Sequence, residues 1–277
     1  MRYAQLVMGP AGAGKSTYVS TLEEHYAVSQ KKVHCINLDP AAEYFAYPVQ
    51  VDIRELISVD DVMEDAELKF GPNGGLVFCM EYLVQNTDWL EECLGEVEDD
   101  YFIIDCPGQI ELYTHMNTMN KFIEMLEQWN IRVCGVYLLD SQFLVEPSKF
   151  IAGMLSALSA MVQLSLPHVN VLSKIDLLSK HDRENLEMWL DPSVRQISDG
   201  LMNTSNKRHR QLSKALATLL DDYSLVNFVP LNIQDENSIS DLALQLEMIL
   251  QISDDAEVRE PRDIDDDKES GIGDEED

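Results

Sequence analysis

The run Gly9-Pro10-Ala11-Gly12-Ala13-Gly14-Lys15-Ser16-Thr17 narrows the possible folds more than any other segment. It satisfies the spacing Gly-x4-Gly-Lys-Ser/Thr, follows the mostly apolar run 3–8, and precedes a helical pattern over 16–26. Strand, glycine loop and helix in that order form a cradle for a phosphate chain. Gly9, Gly12 and Gly14 let backbone N–H groups turn inward, with Ala13 between them. The helix start adds positive potential. Lys15 is placed to bridge the outer phosphates, and the hydroxyl of Ser16, followed by Thr17, to bind Mg²⁺.

The rest of the chain fits one α/β fold around this loop. Further apolar runs lie at 33–38, 101–104, 133–139, 169–172 and 226–230. Their near-continuous hydrophobicity suits strands covered on both faces. Helical patterns lie over 16–26, 112–129, 149–164, near 210–220 and over 239–250. The alternation predicts a mainly parallel sheet flanked by helices on both faces, within one domain of residues 1–253. Residues 182–210 fit it poorly and read as a partly helical insertion. The last 24 residues, 254–277, carry 13 acidic and 3 basic side chains, which predicts a disordered acidic tail.

Charge and cysteine content exclude several classes. With 20 basic and 50 acidic residues the net charge is −30. Such a body repels phosphate backbones and anionic lipid, so direct nucleic-acid or membrane binding is not expected. No apolar stretch approaches the roughly 18 residues of a membrane span, and the start of the chain does not read as a signal peptide. Cys35, Cys79, Cys93, Cys106 and Cys134 show no Cys-x-x-Cys spacing, which points to buried thiols in a reducing, cytoplasmic setting.

Three more stretches place chemistry at the carboxyl ends of strands, where open α/β sheets bind ligands. In Asp105-Cys106-Pro107-Gly108-Gln109, Asp105 ends a buried strand and can hold Mg²⁺ through water. Gly108 can bring a backbone N–H to a γ-phosphate, and Gln109 can order water. In Asn37-Leu38-Asp39-Pro40-Ala41, Asp39 can orient an attacking water or a metal-bound one. In Ser173-Lys174-Ile175-Asp176, the Asp176 carboxylate can accept the two donors that guanine offers and adenine lacks. The stem of Lys174 can lie along the base, Ser173 can brace the loop, and 230–232 can close over the base. Residues 112–129 carry an apolar, Met-rich stripe that reads as core, or as a groove for a partner segment. Residues 206–210 are a basic cluster that reads as a solvated loop.

With these motifs in order, the chain resembles the GPN-loop GTPase family. Gly71-Pro72-Asn73-Gly74-Gly75 carries the name-giving sequence, and the Asn37–Ala41 and Asp105–Gln109 stretches match the family pattern. The likeness spans roughly 1–250; 71–82, 105–115 and 137–143 are most similar to its third eukaryotic branch. The resemblance implies a Mg²⁺-dependent enzyme that converts GTP to GDP as a dimer, homodimeric or paired with a paralogue. It implies that the loop of Gly71, Pro72 and Asn73 reaches the γ-phosphate of the other subunit, with Gly71, Gly74 and Gly75 permitting an unusual backbone path. It further implies a role in assembly and nuclear import of RNA polymerase II, with that enzyme's subunits as clients and shuttling to the nucleus. Which of Asp39, Asp105 and Gln109 orders the attacking water stays open at this level. So do two rivals: a nucleotide-binding scaffold with little activity alone, and a P-loop kinase.

Overall fold

In the computed structural model, residues 1–65, 67–95, 100–184, 186, 190, 211–212, 215–216, 218–219 and 226–252 are described. The expected acidic tail, the basic cluster and most of the expected insertion lie outside them. The strands are β1 (Arg2–Met8), β2 (Val33–Asn37), β3 (Val49–Asp52), β4 (Tyr101–Asp105), β5 (Ile131–Asp140), β6 (His168–Ser173) and β7 (Phe228–Pro230). They form one all-parallel sheet in the order β3-β2-β4-β1-β5-β6-β7. Around it run α1 (Lys15–Val28), α2 (Val59–Glu64), α3 (Pro72–Gln85), α4 (Thr87–Leu94), α5 (Glu111–Thr114), α6 (Thr118–Gln128), α7 (Pro147–Leu164), α8 (Lys180–Glu184) and, toward the end, α9 (Glu236–Ile249).

Alternate strand residues point to opposite faces of the sheet, and the sequence fills both faces with apolar groups. On β1, Ala4, Leu6 and Met8 join one core with Leu76, Met80 and Leu83 of α3 and Phe122 and Leu126 of α6. Tyr3 and Val7 join the other with Tyr18, Val19 and Leu22 of α1 and Leu242 and Leu246 of α9. Strand β1 is central, paired with β4 and β5. The crossovers after β1 and β5 leave toward opposite edges, which opens a crevice at the carboxyl ends of these strands.

Several local expectations are corrected. The single helix over 112–129 is two: α5 ends at Thr114, capped by His115, and α6 starts after Asn117. The phenol of Tyr113 donates to the carbonyl of Pro107, which keeps α5 aligned with the preceding turn rather than with α6. Tyr113, Met119, Phe122, Ile123 and Leu126 are buried, so the stripe is core. Four of the five cysteines are buried, while Cys93 is exposed on α4; all five are free thiols.

Candidate functional site

The glycine loop leaves β1 with Gly9 at φ 139°, where a Cβ would lie 2.4 Å from the carbonyl oxygen of Leu138. No L side chain fits there without moving β5. Gly12 and Gly14 also take positive φ, 79° and 93°. Gly14 is the N-cap of α1 and no side chain caps that helix. Its first-turn N–H groups therefore stay available to an anion. Lys15 is buried and its Nζ donates to the carbonyl of Gly9 at 3.3 Å.

The second strand end converges on the same place. Asp105 closes β4 and is 3% exposed. Its Oδ2 accepts from Ser16 Oγ at 2.8 Å and from the Tyr47 phenol at 2.9 Å. Burial raises the Asp105 carboxyl above its ordinary range; the two hydroxyls and the Lys15 charge pull it down, and Asp39 pushes it up. A Cβ on Gly108 would stand 3.1 Å from Ala11 Cα, so the turn after Asp105 rests directly on the glycine loop.

Asp39 is held through its backbone. Its N–H donates to Asn37 Oδ1 at 3.0 Å, and Asn37 Nδ2 donates to Asp52 Oδ1 at 2.9 Å. Arg54 grips Asp52 from the other side and donates to the carbonyls of Ala42 (2.8 Å) and Glu43, its guanidinium 4.7 Å from the Phe45 ring centroid. Burial pushes the Asp52 carboxyl up, but bonds from Arg54 and Asn37 outweigh it and leave the group below its ordinary value. The Asp39 carboxylate itself accepts from the N–H of Ala41 at 3.0 Å.

Beside the loop lies a cavity of about 190 Å³, lined among others by Thr17, Tyr18, Ser173, Asp176, Leu231 and Ile233. Asp176 Oδ1 is buried with no hydrogen-bond partner. Ser173 donates to the carbonyl of Ala13 at 2.6 Å, and Lys174 Nζ reaches the carbonyl of Gly12 and, at 2.8 Å, Asp140 Oδ2. Ser173 and Lys174 thus fasten this loop to the glycine loop, while Asp176 lines the cavity with one oxygen unpaired.

The stretch 71–75 is not an irregular loop. Pro72 is the first residue of α3 and Gly71 its N-cap, at φ −84°. Gly71, Gly74 and Gly75 all have negative φ; the left-handed residue here is Lys69. Proline suits the first helical position because its missing N–H has no intrahelical use there. Gly74 gives way to the Phe70 ring, 3.1 Å from where its Cβ would be. Asn73 Oδ1 accepts from Gln109 Nε2 of the same chain at 2.9 Å. Lys15, Ser16, Asp39 and Asp105 therefore gather at one crevice, Ser173, Lys174 and Asp176 at its side, and Asn73 with Gln109 at its rim. Tyr47, Arg54 and Asp140 escaped the sequence reading because no motif spacing marks them.

A family model described as "Conserved hypothetical ATP binding protein" matches residues 7–252. A Danio rerio protein named GPN-loop GTPase 3 is 54% identical over 265 residues, covering 95% of this chain and 93% of that protein. Its namesake from Dictyostelium discoideum is 49% identical, covering 94% and 91%. The crystal structure of a GTPase in apo form from Pyrococcus abyssi superposes with a TM-score of 0.73 at 22% identity. It covers 89% of this chain and 96% of that one, a likeness of fold.

Proposed function

The chain belongs to the GPN-loop GTPase family, and from that premise we propose that it is a Mg²⁺-dependent GTPase that converts GTP to GDP as a dimer. The observation that carries this reading is the meeting of Ser16 and Asp105, 2.8 Å apart, beside Lys15 and the uncapped start of α1. Such a donor pair suits Mg²⁺, which keeps most of its waters and takes one or two protein oxygens together with phosphates. When bound, the ion offsets charge on the phosphate oxygens. Lys15 and the amides of residues 12–15 bind the phosphate chain and stabilise charge on the transferred group. Asp176, with its unpartnered oxygen, reads the guanine edge, and Leu231 and Ile233 exclude water from the base.

Among Asp39, Asp105 and Gln109, we assign the ordering of the attacking water to Asp39. Asp105 Oδ2 already takes two hydroxyls, and Gln109 Nε2 is engaged by Asn73. Asp39 has its backbone fixed and a carboxylate oxygen to spare. The dimer is a homodimer or a pair with a paralogous subunit, in which Asn73 leaves Gln109 for the partner's γ-phosphate. The bond to Gln109 also favours a second reading, a subunit with little activity alone. The biological setting that fits is assembly and nuclear import of RNA polymerase II, with cytoplasmic residence and shuttling. Support comes from the family and from a net charge of −30 that can shield basic clients.

The test is GTP and ATP turnover against protein concentration with Mg²⁺, for wild type and Asn73→Ala, with and without a paralogous partner. The proposal expects GTP turnover per subunit to rise with concentration and Asn73→Ala to lower it at least 10-fold with binding intact. Flat turnover that only the partner raises selects the second reading. Equal handling of GTP and ATP under all conditions removes the GTPase assignment.

A further inference from the structure

We propose that Tyr47 is a positioning residue of the Mg²⁺ site: its phenol locks the Asp105 carboxylate in the rotation that leaves Oδ1 for metal-bound water. The inference rests on the magnesium reading above. Along residues 41–48, Tyr47 is the buried one, and the others are half-buried or exposed. Three residues earlier, Tyr44 is 85% exposed, so a tyrosine in this connector has no general need to be inside. The ring of Tyr47 packs into the α1-side core and lies 5.5 Å from that of Phe45. Next to it, Ser20 of α1 donates to the carbonyl of Ala46 at 3.3 Å. The phenol is thus held by packing on one side and aimed at Asp105 on the other.

The geometry at the carboxylate is specific. Ser16 comes from α1 and Tyr47 from the connector before β3, yet both donate to Oδ2, at 2.8 and 2.9 Å. A carboxylate offers about four acceptor positions over two oxygens. Two donors from separate elements on one oxygen fix the rotation of the group and leave the other oxygen to a ligand. Partners that orient a metal-ligating group typically cost about 10–100-fold in metal affinity when removed; Tyr47 acts one step further out, through Asp105 and a metal-bound water, so the lower end of that range applies.

The experiment follows release of mant-GDP from the full chain across free Mg²⁺ concentrations, and in EDTA, for wild type, Tyr47→Phe and Asp105→Asn. Phenylalanine keeps the ring and removes only the hydroxyl. The expected result is a Mg²⁺ half-saturation raised about 10-fold in Tyr47→Phe, an EDTA affinity within twofold of wild type, and no Mg²⁺ response in Asp105→Asn. An unchanged half-saturation in Tyr47→Phe overturns the inference while leaving the magnesium reading in place. An equal loss of nucleotide affinity with and without Mg²⁺ assigns Tyr47 a structural role and also overturns it. If wild type retains mant-GDP equally well with and without Mg²⁺, the magnesium reading fails, and the role of Tyr47 with it.

Discussion

Asp176 keeps one carboxylate oxygen buried and unpartnered, and in the proposed reading that orphan is what lets the cavity choose between purines. A site built to pair with a ligand donor rejects an analogue lacking it, by factors that reach about 10⁴–10⁵, because its own polar group is left unsatisfied. Asn offers an acceptor and a donor of nearly the same shape. Asp176→Asn should therefore cut the preference for GTP over ATP at least 100-fold, read by competition binding, with little change in folding. An unaltered preference would remove Asp176 from base reading. Ser173 is engaged with the glycine loop instead. Its bond to the Ala13 carbonyl braces the glycine loop.

Between residues and fold lies the connector from β2 to β3, an element whose order is borrowed. Arg54 ties Asp52 to the carbonyls of Ala42 and Glu43, and Asn37 passes that restraint to Asp39. Arg54→Ala should loosen the connector at a cost of about 1–2 kcal/mol. It should speed protease cleavage within 38–48 and lower GTP turnover with GDP affinity retained; loss of GDP affinity instead would place Arg54 in the binding scaffold. This element also shows what a sequence reveals. The central strands and the residues 9–17 were legible because a buried parallel strand and a glycine loop have contiguous signatures. Strand β3 was not: it has four residues, follows Pro48, and buries only Val51. Helix α3 was hidden because Pro72-Asn73-Gly74-Gly75 has turn chemistry, although its proline sits well at a helix start. The bond from Tyr47 to Asp105 closes at the sheet edge, and no local pattern announces a contact spanning 58 residues.

At the scale of the whole molecule, one buried imidazole among the described residues makes stability depend on pH. His168 opens β6 with both ring nitrogens buried and unpartnered, and burial pushes its pKa down to about 4. In the unfolded chain the same group takes its proton near 6.5. Between those values the unfolded state binds more protons, so stability falls as pH drops from 6.5 toward 4, by at most about 1.4 kcal/mol per pH unit. His168→Leu should flatten that slope in denaturant melts across the window; an unchanged slope would assign it to other groups. The sheet order has a consequence in time. Strand β1 is made before either of its neighbours: Tyr3 pairs with Tyr101 and Arg2 with Ile131. At about 5–20 residues per second, a ribosome needs between about 5 and 20 s to supply the first of those partners. For that interval the newborn chain carries an apolar strand and its nucleotide loop with nothing to pair against, so the segment central to the finished sheet is the one that waits longest to join it.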